Sequence, residues 1–275
     1  NAQLERPIRI NGKADLDLQL GETERVIAQA KLSEALREAA RSLLDLWVDG
    51  LAAAQAQKLL QEQQAFAQAN LRAVESRKKA GDASALDVSV AAADFADVER
   101  QASLAASNLA KARAKLRVRF PGAQLPAQSM ADPLPAGGTE SQWLRRVLDA
   151  AAPLRNAEGQ LRKAELAASR ASADRVPDPT VGVFAASEAF RKERIVGVSI
   201  SIPLSGTYRH ERMQQALQEV EVARAAVERQ RRELEAAVAE TYADATGNLA
   251  RWQLAERGAT ATGESARLTQ RAYAL

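Results

Sequence analysis

Residues 194–204 read RIVGVSISIPL. Val196, Val198, Ile200 and Ile202 alternate with Gly197, Ser199 and Ser201, a period of two that describes a half-buried β-strand. The surrounding chain is written mostly in Ala, Leu, Glu, Gln, Lys and Arg, so what such a strand packs against decides the fold. A companion strand, about Thr180 to Ser187, precedes it across the charged turn EAFRKE, which predicts a hairpin. Residues 4–10, LERPIRI, read as a further short strand, with Pro7 at an edge or an end.

From about Leu20 to Lys79 the pattern is helical and free of proline, with Leu36, Leu43, Trp47, Leu51 and Ala54 on one stripe. At 1.5 Å per residue this is a rod of roughly 90 Å. It stops at SRKKAGDASALDV, residues 76–88. Gly81 sits where a left-handed C-terminal residue belongs, and Ser84 with Asp87 resembles a capping box opening the next helix. Arg77, Lys78 and Lys79 occupy the last turn, where basic residues offset the helix dipole. The return helix, about Ser84 to Val118, therefore runs antiparallel to the first.

Residues 121–138, rich in Pro and Gly, form a connector. A short amphipathic helix carrying Trp143, Leu144, Val147 and Leu148 follows. Pro153 starts another that runs to about Ala173 and ends at DRVPDPT. After Gly206 a second long helix bears Val220, Ala223, Val227, Leu234, Val238 and Tyr242 on one stripe and persists to Leu275.

The two halves look alike. Pro7 and Gly12 precede the first rod as Pro203 and Gly206 precede the second, and LWVDGLAAAQAQKLL lies over TYADATGNLARWQLA with Trp47 on Tyr242 and Asp49 on Asp244. This is a duplication of strand, long helix, tip and return helix. It divides the chain into a first repeat (1–120), a connector with short helices (121–178) and a second repeat (179–275). At the same offset the residue matching Gly81 would follow Leu275, so the chain reads as a fragment without its last return helix.

Composition narrows the function. The 275 residues are 46% hydrophobic but only 4% aromatic, and nearly half of that hydrophobic count is alanine, the composition of closely packed helices. The 38 basic and 35 acidic residues nearly cancel, without the basic aromatic patch that nucleic acid requires. No cysteine is present, which removes disulfides, thiolate metal sites and a cysteine nucleophile. No run is long and apolar enough for a membrane-spanning helix, whereas a β-hairpin needs only about 10 residues per strand to cross a membrane.

Catalysis finds no support. GVSIS at 197–201 lacks the second glycine of a nucleophile elbow, and no Gly-rich phosphate loop precedes a helix. His210, the single histidine, has neither ligands nor a partner at a suggestive spacing and reads as a surface residue. Trp47, Trp143 and Trp252 read as seam fillers. Neither a cofactor nor a metal site is expected.

With the tip phrase, the passage from IPLSG into a long helix, AAPLRNAEGQLRKAELAAS and RVPDPTVGVFAASEAFRKERIVGVSISIPL in place, the sequence resembles the outer membrane efflux protein family, the TolC-like outer membrane factors. The strand phrase is most similar to the heavy-metal branch that serves resistance-nodulation-division pumps. The resemblance implies a mainly α fold of long antiparallel helical hairpins with a few transmembrane β-barrel strands, trimeric at full length. It also implies a passive exit duct in the outer membrane of a Gram-negative bacterium, with a helical extension into the periplasm. The expected partners are a periplasmic adaptor, an inner-membrane pump reached through it, and outer membrane lipid.

In that setting Lys79, Gly81, Asp82, Ser84, Leu86 and Asp87 form the tip that meets the adaptor, although capping alone also explains Gly81, Ser84 and Asp87. Val196, Val198, Ile200 and Ile202 are expected to face lipid, and Gly197, Ser199 and Ser201 the lumen. Two alternatives stay open: a sheet covered by a helix, and a structural coiled coil such as a periplasmic adaptor.

Overall fold

The computed structural model describes residues 2–125, 131–188, 193–203 and 206–273. The order of elements is β1 (Ala2–Pro7), α1 (Lys13–Ala80), α2 (Ala85–Arg119), α3 (Glu140–Ala150), α4 (Ala152–Ala173), β2 (Thr180–Glu188), β3 (Glu193–Ser201) and α5 (Thr207–Tyr273). The central residues of the expected EAFRKE turn, 189–192, lie outside this description.

Helices α1 and α5 contain 68 and 67 residues. At 1.5 Å per residue each is about 100 Å long. By packing, the chain forms two compact units: Leu36–Pro133, and Asn1–Ala35 with Leu134–Leu275.

The unit Leu36–Pro133 is a helical hairpin. On α1 the less exposed positions Leu46, Gly50, Ala53, Gln57, Leu60, Gln64, Ala67, Leu71 and Val74 recur at alternating steps of four and three. On α2 the same steps pick out Val88, Ala91, Phe95, Val98, Ala102, Ala105, Leu109, Ala112 and Leu116. This 3.5-residue period is that of a coiled-coil seam. Folded back antiparallel about Gly81, the two series imply a register in which Leu46 faces Leu116, Ala53 faces Leu109, Ala67 faces Phe95 and Val74 faces Val88. Ser42 and Leu46 line a shared cavity with Ala114 and Val118 at the far end, as that register requires. Most layers set a small side chain against a large one, which lets the helix axes approach. Leu125, in the connector, closes onto Gly50, where an added Cβ would stand 2.6 Å from its Cδ2.

Of the stripe expected from sequence, Leu43, Leu51 and Ala54 are half-buried beside this seam. Leu36 and Trp47 remain 63% and 37% exposed. Apolar residues occupy more than one face of α1, and the partner helix selects the face carrying Gly50 and Ala53.

In the other unit, α4 and the first third of α5 form the core, with Ala168 against Ala216 and Val220 and with Leu161, Ala164 and Ala171 around them. Gly159 admits Ile27 of α1, since a Cβ there would lie 2.7 Å from Ile27 Cγ1. The Val220 to Tyr242 stripe of α5 is buried or half-buried, as its period predicts. The three strands form one antiparallel sheet in the order β1-β2-β3.

Several boundaries move. The first strand is Ala2–Pro7 rather than 4–10: Pro7 pairs with Thr180, and the residues before Thr180 include Pro177 and Pro179, which have no N–H to extend a ladder. Helix α1 begins at Lys13, seven residues before Leu20. Strand β3 ends at Ser201, so Ile202 follows it, next to Pro203.

Candidate functional site

The hairpin tip is built by two local motifs. Gly81 has φ +86°, its N–H donates to Lys78 O at 3.1 Å, and the Asp82 N–H donates to Arg77 O at 2.8 Å. These bonds form a Schellman ending that requires a residue at ease in the left-handed region. Across the turn, Asp87 N–H donates to Ser84 Oγ at 3.1 Å, and Ser84 N–H returns a bond to Asp87 Oδ2 at 2.7 Å, a complete capping box. The bonds from Ser84, with the Arg77 charge nearby, hold the Asp87 carboxyl below its ordinary pKa. Lys79, Gly81, Asp82, Ser84, Leu86 and Asp87 all lie exposed here. Leu86 is 71% exposed, and Val90, one turn further, is 53% exposed. Capping explains Gly81, Ser84 and Asp87; it does not explain an apolar side chain displayed at a solvated tip.

The sheet separates two chemistries. Register places Leu4 opposite Val183 and Val183 opposite Val198, with Ala185 opposite Val196 and Val181 opposite Ile200. These positions share one face with Ala2 and Arg6, which lie opposite Ala185 and Val181, because side chains alternate along a strand. Val196, Val198 and Ile200 are 82%, 71% and 71% exposed, and Leu4 and Val183 are also exposed. No described element covers this face. Ile202, beyond the strand end, is exposed as well.

The opposite face carries Gln3, Glu5, Pro7, Thr180, Gly182, Phe184, Ala186, Ile195, Gly197, Ser199 and Ser201, and is the more polar of the two. Gly197 leaves room for the Phe184 ring; a Cβ there would stand 2.7 Å from Phe184 Cε1. Gly182 in the same way admits Glu5 and Ser199.

Where the strands meet the helices lies a cluster that sequence reasoning missed. The Lys13 side chain is only 1% exposed, and its ammonium donates to Val176 O and Asp178 Oδ1, both at 2.7 Å, and lies 3.3 Å from Asp174 Oδ1. Arg170 pairs with Asp174 and Asp17, and Asp17 also pairs with Arg9. Burial would push the Asp174 and Asp178 carboxyls up. For Asp174, bonds and charge from Arg170 and Lys13 outweigh it; for Asp178, bonds from Lys13 and the Ile10 N–H do so. Both carboxyls are held below their ordinary range. The available signal was Lys13 directly after the Asn11–Gly12 corner and the PDP triplet at 177–179.

The remaining candidates do not join these sites. His210 is exposed on the first turn of α5. Trp143 Nε1 donates to Gly137 O at 2.8 Å and the Tyr242 hydroxyl to Gly138 O at 3.1 Å, so these two aromatics hold the end of the connector. Among the described residues no group of three His, Cys, Asp or Glu is arranged to hold a metal ion, and no helix is long and apolar enough to cross a membrane.

No family model matches the chain, and no curated protein matches it. Solved structures do. The outer-membrane channel OprN superposes with a TM-score of 0.69 at 18% identity, over 91% of this chain and 59% of that one. A membrane protein from Pseudomonas aeruginosa gives 0.77 at 15% identity, over 98% and 65%. The outer membrane protein VceC from Vibrio cholerae gives 0.73 at 17% identity, over 93% and 64%. At such identities the likeness is one of fold, and it is the fold that the sequence resemblance implied. The chain spans about three fifths to two thirds of the length of these structures.

Proposed function

We propose that this chain forms the greater part of a protomer of a passive, trimeric exit duct in the outer membrane, the last component of a tripartite efflux system. The observation that carries the reading is the three-stranded sheet with one uncovered, largely apolar face and one mostly polar face, continuous in sequence with helices about 100 Å long. A barrel closed by strands from neighbouring copies satisfies every backbone hydrogen bond inside lipid, with alternate residues in lipid and in a water-filled lumen. In this reading Val196, Val198 and Ile200, with Ile202 at the rim, face lipid. Gly197, Ser199 and Ser201 face the lumen, with Phe184 lying over Gly197 as part of its wall.

The two repeats, 1–120 and 179–275, joined by 121–178, each contribute strand and long helix to the same wall. The α1–α2 tip, with Lys79, Gly81, Asp82, Ser84, Leu86 and Asp87, docks a periplasmic adaptor that links the duct to an inner-membrane pump of the resistance-nodulation-division type. The exposed Leu86 supplies an apolar contact within a charged rim. The cargo is metal ions or hydrophobic drugs. A conduit serves either without a tight binding site, because release must stay fast.

The test is a deletion of the complete gene, followed by growth on a panel of metal ions and of hydrophobic drugs, with complementation by wild type and by Gly81→Pro. Metal sensitivity restored by wild type alone supports a metal duct with a working tip. Drug sensitivity instead moves the protein to the multidrug branch. No sensitivity, in a strain without a redundant duct, rejects the efflux reading.

A further inference from the structure

The Lys13 cluster lies outside the strand faces and the tip, and nothing in the exit-duct reading requires it. Burying an ammonium is costly unless every proton finds an acceptor. Here all three do: Val176 O, Asp178 Oδ1 and Asp174 Oδ1. These acceptors belong to the segment between α4 and β2, whereas Lys13 opens α1 immediately after the corner from β1. Asp178 Oδ1 also accepts the Ile10 N–H at 3.1 Å, and Asn11 Nδ2 donates to Ala173 O at 3.3 Å. The two corners are therefore tied by donors from three neighbouring residues, Ile10, Asn11 and Lys13.

Two successive left-handed residues, Asn11 at φ +59° and Gly12 at φ +70°, make the turn that brings Lys13 inward. Arg209 Nη1 donates to Asp174 O at 2.6 Å, so the start of α5 enters the same cluster. The charged groups around Lys13 are thus Arg170 from α4, Asp174 and Asp178 from the segment after it, Asp17 from α1 with Arg9 behind it, and Arg209 from α5. Apolar contacts alone would let the sheet swing, because β1, β2 and β3 have no covering layer. Directional bonds at one point do not permit it.

We infer that Lys13 is a buried pin that fixes the direction in which the three strands leave the helices, a conformational device that aims the sheet before neighbouring copies meet it. The pin acts within one chain and does not depend on cargo or partner.

The absence of cysteine allows a direct test on the whole chain in detergent. Val198→Cys and Gln160→Cys report the sheet-to-α4 distance by double electron–electron resonance of attached spin labels. A second pair, Gln55→Cys and Ser107→Cys, reports the α1–α2 hairpin. The parent gives a narrow distribution for both pairs. Lys13→Met loses the narrow sheet-to-helix distance and leaves the hairpin pair unchanged, and Lys13→Arg restores part of the order. Asp178→Asn, which keeps an acceptor oxygen but not its charge, gives an intermediate width and decides the question should Lys13→Met lose its helical signal. A sheet-to-helix distribution as narrow in Asp178→Asn, or in a folded Lys13→Met, as in the parent overturns the inference.

Discussion

The register of the α1–α2 seam makes Ala53 and Leu109 a matched layer, and exchanging their sizes tests it. Leu109 is 4% exposed. Leu→Ala in a core costs about 2–5 kcal/mol, the spread reflecting how far the site collapses. A two-helix seam is open to solvent on both flanks and can collapse, so the lower half of that range applies, about 2–3 kcal/mol. Ala53→Leu alone adds three carbons against a leucine already in place, an overpacking cost of about 1–3 kcal/mol. The double variant restores one large and one small side chain to the layer and should cost only about 1–2 kcal/mol, well short of the sum of the two singles.

The expected coupling is therefore about 2–4 kcal/mol in favour of the pair. Native-state hydrogen exchange of seam amides reads it without assuming that the two units unfold together. Pairing Leu109→Ala with Ala56→Leu, whose site lies outside the seam, should show no such rescue. Additivity of Ala53→Leu and Leu109→Ala to within about 0.5 kcal/mol would refute the register.

Gly81→Ala should destabilise the tip by about 1 kcal/mol from backbone strain alone, since φ is +86° and no atom lies within 4 Å of the added Cβ. Gly81→Pro should cost more, because it also removes the N–H bonded to Lys78 O; exchange rates of the amides around Ser84 report both. Gly247→Ala, in open space within α5, should stabilise its helix by about 1 kcal/mol, whereas Gly159→Ala should lose stability by displacing Ile27; urea midpoints that shift the same way for both contradict the packing. Asp174 and Asp178 have lowered pKa values when folded, so their contribution is complete above the ordinary aspartate range and lost as the pH falls through the folded values. Stability of their unit should stay flat from about pH 7 to 5 and decline below about pH 4, with a shallower acid slope in Asp178→Asn; an unchanged slope in that variant contradicts the assignment.

The tip was legible in the sequence because its residues encode the turn directly. A glycine supplies the left-handed residue, and Ser84 and Asp87 satisfy one another's backbone groups three positions apart. The sheet was legible because strict alternation has one simple explanation. The strand boundary at Pro7 was not, because it is set by prolines in β2's approach, about 170 residues away in sequence. The sequence stripe found only part of the buried side of α1, because Gly50, Gln57 and Gln64 lie in the seam while Leu36 and Trp47 stay exposed, and a hydrophobicity pattern favours the larger apolar residues. Lys13 reads as an ordinary basic residue at a helix start; its burial depends on the carbonyl of Val176 and the carboxylate of Asp178, which only the folded chain brings near.

The central claim is that the sheet divides lipid from a water-filled lumen. Single cysteines at positions 196 to 201, labelled with an environment-sensitive dye in the protein from the complete gene and reconstituted in vesicles, test it most directly. The account predicts a period of two: quenching by a lipid-borne nitroxide at 196, 198 and 200, and by aqueous iodide at 199 and 201. Uniform quenching along the strand, or the opposite phase, would contradict it.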